Sequence, residues 1–423
     1  LWAAATLLLL GGFVAPAFTG VGLALDVLLL VLVWVDARRA RRLAFGYARP
    51  IPPVLHQGEP WDGLGTVTVA GPGRVRLRVR EALHPALGGG PVEVTLTLLP
   101  GEEGRVLLPC RPVERGAVAV PPAAARVEGP WGLGTADRLL GPEVSVAVHP
   151  QARLDGEAGL RVRQLLQQRP GAHPRPRPGA SAELHALREL VPGDPPARLH
   201  QRASARRGRP IAREPAWEQD QDVVVLLDCG RAMAGRAGDR AKLDHALAAA
   251  LALARVAVHA RDAVTLVCYG AALGRVVQVD RRARSFAPVY AALHDVPADL
   301  GESDHAAAAA WVRRAAPRRA RVLALSSLID PTAAARLGEA LGSLAERFPT
   351  ALVHLEDPGL VAQARGRPET LAAAHAKVAA LGMAERLDAL VRGMRARGVR
   401  TVACAADHLA LGAIDAWLDA RTR

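Results

Sequence analysis

From residue 220 to residue 423, apolar runs too short for helices alternate with longer stretches of helical period, and this alternation limits the fold more than anything else in the chain. "DVVVLLD" (222–228), "ARVLALSS" (320–327), "TALVHLED" (350–357) and "VRTVACAA" (399–406) read as strands buried on both faces, and "DAVTLVCYG" (262–270) with "GRVVQVD" (274–280) as a strand pair. Between them, Leu243, Leu247, Leu251, Ala254 and Val258 share one stripe of a helix. Further helices are expected from about 304, near 332–346 and from about 369. Such a pattern gives a mainly parallel sheet with helices on both faces, a Rossmann-like α/β domain over 220–423. Ligands of these sheets gather at the carboxyl ends of strands, where Asp228 is delivered.

The amino end asks for a different solvent. Residues 1–35 carry one ionisable side chain, Asp26. A single spanning helix needs about 20 apolar residues, so the run accommodates two short ones. "APAFTG" at 15–20, with Pro16 and Gly20, is the expected turn between them. "DARRARR" at 36–42 is a basic flank of the kind that stays on the cytoplasmic side. The expectation for 1–42 is therefore a transmembrane helical hairpin with both ends in the cytoplasm. A cleaved signal peptide is the alternative, though its charges would precede the apolar run.

Between 43 and 150 short segments of period 2 are separated by turn residues, as in "GTVTVA" (65–70), "RVRLRVR" (74–80) and "VEVTLTLL" (92–99), which predicts an antiparallel β-sandwich. Residues 151–219 form a connector. Its "QRPGAHPRPRPGA" (168–180) cannot be a regular helix, and a short helix around 183–190, stopped by "PGDPP", is expected after it. The net charge of +13 raises nucleic acid and anionic membranes as partners. Almost all of that charge is arginine in an Ala-, Gly- and Pro-rich chain, which is the bias of a GC-rich genome. With aromatics at 4%, stacking platforms for single strands are missing, and no nucleic acid is expected. The four cysteines are far apart and show no metal-ligand spacing, so free thiols are expected.

The segment 183–206 resembles the signature of the domain-of-unknown-function-58 (DUF58) family, membrane-anchored bacterial proteins with a domain similar to von Willebrand factor A. Glu183, Leu187, Arg188, Pro192, Gly193, Asp194, Arg198, Ser204, Ala205 and Arg206 match it. Leu184, Leu190 and Gln201 stand where the family tends to have aromatics. "VERGAV" and "GPWGLGT" resemble later strands of the family's β domain. The resemblance implies a bacterial inner-membrane protein whose soluble domains face the cytoplasm and work with a MoxR-type AAA+ ATPase.

It also implies a place for a divalent cation, held by an Asp-x-Ser-x-Ser turn, a Thr from a second loop and an Asp from a third. Asp228 keeps the first position, but Gly230 and Ala232 replace the two hydroxyls. The second loop offers Ser303 beside Asp304, and the third has Ser327 where an Asp is implied. A hard cation needs a near-octahedral set of oxygens, so the expectation is a vestigial site with no cofactor, or at most weak Mg²⁺. A site remodelled from Asp228, Asp304 and Asp330 is the other reading. Asp228, Ser303 and Asp304 are expected on a docking rim.

Catalysis is not expected. Cys229 beside Asp228 has no base that the sequence places in reach, and no P-loop, H-E-x-x-H or G-x-S-x-G occurs. The expected function is a non-catalytic membrane adaptor. A membrane scaffold without an ATPase partner and a nucleic-acid-binding membrane protein are the alternatives.

Overall fold

The computed structural model describes residues 16–71, 73–151, 156–167, 184–189, 201–215 and 221–422. The chain divides into two compact units, Leu1–Gln151 and Ala152–Arg423.

Among the described residues the first unit begins in helix α1 (Pro16–Arg42), whose stretch Gly20–Arg42 is long and apolar enough to cross a membrane. The expected turn at 15–20 is helical from Pro16 onwards. Proline has no N–H to lose in a first helical turn, so Pro16, at the first described position of this helix, does not break it. The other arm of the expected hairpin lies outside the described residues.

Strands β1 (Ala44–Ala48), β2 (Val54–His56), β3 (Trp61–Ala70), β4 (Val75–Glu81), β5 (Val92–Leu98), β6 (Glu103–Cys110), β7 (Gly116–Val120), β8 (Ala123–Glu128), β9 (Thr135–Leu140) and β10 (Val144–His149) follow. They form three sheets, in the orders β1-β3-β6, β5-β4-β8-β9 and β2-β10-β7. Alternation sets the core: Val75, Leu77 and Val79 of β4 point inward and meet Val67, Val69, Val106 and Leu108 of the β1-β3-β6 sheet, while the arginines of β4 stay outside. The third sheet departs from the all-antiparallel expectation, because β2 runs parallel to β10. "GPWGLGT" also departs from expectation. It is the turn between β8 and β9, closed by Gly129 N–H to the Gly134 carbonyl at 2.8 Å, with Gly132 at φ +67°.

The second unit contains α2 (Gly156–Gln167), β11 (Leu184–Glu189), α3 (Gln201–Arg207), β12 (Ile211–Pro215), β13 (Asp222–Asp228), α4 (Arg231–Ala234), β14 (Arg236–Ala237), β15 (Arg240–Ala241), α5 (Lys242–His259), β16 (Ala263–Tyr269), β17 (Leu273–Val279), α6 (Ala287–Leu293), α7 (His305–Ala315), β18 (Arg321–Ser327), α8 (Pro331–Ala345), β19 (Thr350–Leu355), α9 (Pro358–Arg365), α10 (Leu371–Ala396), β20 (Arg400–Cys404) and α11 (Leu409–Thr422). Its main sheet has the order β17-β16-β13-β18-β19-β20. Every neighbouring pair is parallel except the edge pair β16/β17.

Alternate residues of each strand enter two separate cores. Val223, Val225 and Leu227 meet α5 and Trp417 of α11, whereas Val224 and Leu226 meet Leu337, Leu344 and Phe348 beside α8. Helix α2, inside the stretch read as connector, adds Val162 and Leu165 to the α5 side. The short helix expected around 183–190 is instead strand β11, paired antiparallel with β12. Six residues gain too few helical hydrogen bonds to offset nucleation, while β12 offers a ready ladder.

Candidate functional site

Asp228 ends β13, the strand from which the sheet is built outward in both directions, and it is 1% exposed. Strand parity turns it to the same side as Val224 and Leu226. Its Oδ1 accepts from the Gly230 N–H at 2.9 Å and from Ser303 Oγ at 2.5 Å. Its Oδ2 accepts from Ser326 Oγ at 2.5 Å. Both carboxylate oxygens are thus engaged by the protein's own donors, as a buried carboxylate requires.

Of the residues expected here, Ser303 is in place and Ser327 is not. Register pairs Leu226 with Ala324 and Leu227 with Leu325, which brings Ser326 beside Asp228. Ser327 faces the other way, where its Oγ donates to the Leu355 carbonyl at 3.1 Å. What selects Ser326 is the register, which pairs Leu226 with Ala324 and so puts Ser326 on the face of Asp228. Gly230 and Ala232 contribute no oxygen, and Ala232 sits half-buried on α4. A side chain at 230 would run into Ser303 Oγ and approach the Gly301 carbonyl at 3.2 Å. Ser303 has taken the space that a hydroxyl residue at 230 would need.

The three carboxylates of a remodelled site do not gather. Asp304 caps α7, accepting from Ala307 N–H at 2.8 Å, and Asp330 caps α8, accepting from Thr332 N–H at 3.1 Å. Among the described residues, no group of three or more His, Cys, Asp or Glu side chains is arranged to hold a metal. The donor set around Asp228 is one carboxylate and two hydroxyls already bonded to it, which does not fit a divalent cation.

The loop that carries Ser303 is itself tightly tied. Asp299 N–H donates to the Cys229 carbonyl at 2.6 Å, and the Asp299 carboxylate accepts from Gly301 N–H at 2.9 Å and Ala271 N–H at 3.0 Å. Those two amides hold its pKa below the usual carboxylate range. Arg231 N–H reaches the Gly301 carbonyl at 3.0 Å, and its guanidinium pairs with Glu302. Beneath the loop, the hydroxyl of buried Tyr269 lies 3.2 Å from His305 Nδ1. Burial, reinforced by Asp228, pushes the Tyr269 phenol well up, and burial pushes the His305 imidazole down. Beside them a cleft of about 540 Å³ is bordered by Glu302, Asp304, Arg313, Arg336 and Glu339.

Cys229 turns to the opposite side of the sheet, into the core beside α5, where its thiol donates to the Leu227 carbonyl at 3.5 Å. Lys242 is a feature that sequence reasoning missed. It is buried at the first residue of α5, with Nζ 2.5 Å from Asp357 Oδ2 and 3.4 Å from Ser327 Oγ. Burial raises the Asp357 pKa, but Lys242 and the Leu360 and Gly359 amides outweigh it and hold the group below its ordinary value. The available signal was compositional: Lys242 is one of two lysines in a chain otherwise served by arginine.

In the signature segment, Arg188 lies on β11 opposite Ala212. Ser204 Oγ accepts from Ile211 N–H at 2.9 Å, tying α3 to β12, and Arg206 is exposed at the end of α3. Pro192, Gly193, Asp194 and Arg198 lie outside the described residues.

Residues 186–361 match a family described as "Protein of unknown function DUF58", a stretch that contains Asp228, Ser303 and Ser326. No curated protein is significantly similar to the chain. Among solved structures, the solution structure of the CARDB domain of PF1109 from Pyrococcus furiosus is 18% identical, with coverage of 25% of this chain and 93% of that one and a TM-score of 0.17. The crystal structure of the same domain in complex with di-metal ions is also 18% identical, covering 25% and 91%, with a TM-score of 0.16. Both likenesses are too slight to bear on the fold or the site.

Proposed function

Over residues 186–361 the chain belongs to the DUF58 family, and from that premise we propose that it is a membrane-anchored, non-catalytic adaptor that docks a protein partner on the carboxyl-end rim of its α/β unit. The unit is read as a von Willebrand A-like domain. Counting its six main strands in chain order, the sheet runs 3-2-1-4-5-6, the doubly wound order, and Asp228 stands at the switch point between strands 1 and 4.

The observation that carries the reading is the engagement of both Asp228 oxygens by Gly230 N–H, Ser303 and Ser326. Both of its oxygens are held by the protein's own donors, so the carboxylate braces its surroundings and is not presented as an open cation ligand. Its bonds brace the loop beneath Glu302 and Asp304, so the charged rim above it is presented as a stiff surface. Docking there works through shape and charge. The partner class proposed is a MoxR-type AAA+ ATPase, as the family resemblance implies. Arg38, Arg39, Arg41 and Arg42 at the end of α1 favour an orientation with the soluble units in the cytoplasm of a bacterial cell, beneath its inner membrane.

The test is a cross-linked pull-down of the full chain from its native membranes, run with Mg²⁺ and with chelator, and with a Glu302→Arg, Glu339→Arg variant alongside. An AAA+ ATPase recovered equally in both arms and lost from the variant is the expected result. Recovery only with Mg²⁺ refutes metal-free docking, and absence of an ATPase from both arms refutes the adaptor role.

A further inference from the structure

The end of α1 is joined to the β-rich unit by a buried carboxylate. Asp36 lies one residue beyond the apolar run and is fully buried. Its Oδ1 accepts from Trp131 N–H at 2.9 Å, and its Oδ2 accepts from Leu133 N–H at 2.9 Å and Gly134 N–H at 3.0 Å. A side chain at 129 would strike the Asp36 carboxylate, and one at 134 would strike the Val33 carbonyl and the Ala37 backbone, so glycines let the loop close on the helix. Arg138 adds a bond to the Leu43 carbonyl at 3.2 Å. The loop Gly129–Gly134 is thereby held at the level of residues 33–37, where the apolar face of α1 gives way to arginines.

What the loop displays at that level is apolar. Trp131 is 47% exposed and Leu133 is 41% exposed, while Trp34 of the helix is 60% exposed. Each tryptophan carries an arginine: Arg39 lies 4.3 Å from the Trp131 ring centroid and Arg38 lies 5.2 Å from that of Trp34. From Trp34 to Arg39 the helix rises about 7–8 Å at about 1.5 Å per residue, the depth of one headgroup layer. Tryptophans with an apolar body and arginines with a phosphate-binding fork are what a bilayer interface selects.

We infer that the Gly129–Gly134 loop is a second membrane contact, in which Trp131 and Leu133 enter the headgroup layer beside α1 and the paired arginines bind anionic phospholipid. The inference rests on α1 crossing the membrane. The occupant is lipid because the loop is pinned next to the apolar surface of α1 itself and the charge at that level, from Arg38, Arg39, Arg41 and Arg42, is positive.

The experiment uses the full chain in nanodiscs of phosphatidylcholine, with or without phosphatidylglycerol, with a spin label at Leu133→Cys or at Val27→Cys. The native thiols are buried. Accessibility to oxygen and to a water-soluble nickel chelate is read at each label. The expected result is lipid exposure at both sites, with nickel access at 133 falling severalfold when phosphatidylglycerol is present. A Trp131→Glu change should restore nickel access at 133 and leave 27 unchanged. A label at 133 open to nickel while 27 is in lipid overturns the loop contact and leaves the spanning helix standing. A label at 133 closed to both probes means that protein covers the loop, which also overturns it. A label at 27 open to nickel overturns the spanning helix and the inference together.

Discussion

Each unit of the chain buries an aspartate that accepts three hydrogen bonds, and the two are satisfied by different donors. Asp36 is held by three backbone amides of one turn. Asp228 is held by one amide and two serine hydroxyls from separate elements. Amides in a closed turn cannot rotate away, so they need that carboxylate. A hydroxyl turns about its own bond and finds another acceptor at small cost. The first arrangement locks a helix to a turn; the second joins the turn after β13, the loop before α7 and the end of β18, and its two hydroxyl bonds are individually replaceable. At the rim the two hydroxyl bonds cross between elements and brace the loop beneath Glu302 and Asp304, and losing either of them orphans no buried amide.

The comparison is broken most directly by removing each carboxylate. Asp36→Ala leaves three amides without an acceptor, at roughly 1–3 kcal/mol for each one that stays buried. Local opening of the 129–134 loop should become easier by about 3 kcal/mol, or roughly 100-fold in amide-exchange protection at Trp131, Leu133 and Gly134. Asp228→Ala orphans one amide, and protection at Gly230 should fall by about tenfold. Equal losses at the two sites would show that the donor type does not matter.

Acid separates the units a second way. Burial, helped by Arg395 and opposed by Asp388, lowers His354 of β19 to about 4. The unfolded imidazole titrates near 6.5, so between about 6.5 and 4 the unfolded state binds the extra proton. This contribution to stability is whole above about 6.5 and is lost as pH falls to about 4, costing the second unit about 2 kcal/mol between pH 7 and pH 5. Thermal unfolding of the full chain at the two pH values should show it, and His354→Leu should flatten the response. An unchanged pH response in that variant would refute the assignment.

The sequence was most readable where burial is complete. Strands β13, β18 and β19 are buried on both faces, so their Val- and Leu-rich runs announced themselves, as did the inward Val75, Leu77 and Val79 of β4. It was least readable where pairing across distance decides. The segment 184–189 is a strand only because Ile211–Pro215 lies beside it. "GPWGLGT" is a turn because Asp36, 95 residues earlier than Trp131, consumes its amides. At the site, Asp228 was found from its place at the end of an apolar strand and Ser303 from the family resemblance, but the choice between Ser326 and Ser327 depends on register. Lys242 was missed because its partner, Asp357, is 115 residues away.

Gly230 sharpens the comparison from the side of space. Gly230→Ser puts a side chain where Ser303 Oγ lies and should destabilise the protein by about 1–2 kcal/mol, as overpacking of a closed site does. It should confer no Mg²⁺ binding by titration calorimetry, because the added hydroxyl displaces the one it would join. In a double-mutant cycle, Ser303→Ala should recover most of the loss, since it removes the contact at Ser303 Oγ and leaves only the milder ones at 3.2 Å to the Gly301 carbonyl and the Cβ of residue 303. Strict additivity of the two changes would mean that the crowding is relieved elsewhere.

The smallest effect tests whether the hydroxyls are interchangeable. Ser326→Ala removes the only donor to Asp228 Oδ2 given by these three bonds, whereas Ser303→Ala leaves Oδ1 with the Gly230 amide at 2.9 Å. A neutral hydrogen bond contributes about 0.5–1.5 kcal/mol and one to a charged group somewhat more. Ser326→Ala should therefore cost about 1–2 kcal/mol by chemical unfolding, and Ser303→Ala should cost less. Ser327→Ala, which removes a hydroxyl bonded to the Leu355 carbonyl and Lys242 on the other side of the sheet, should leave the environment of Asp228 unchanged while weakening the Lys242–Asp357 pair. Carboxyl chemical shifts of Asp228 in the three variants distinguish these outcomes. A shift in Ser327→Ala as large as that in Ser326→Ala would mean that the two faces of β18 are coupled, and that the rim above Asp228 senses the buried lysine below it.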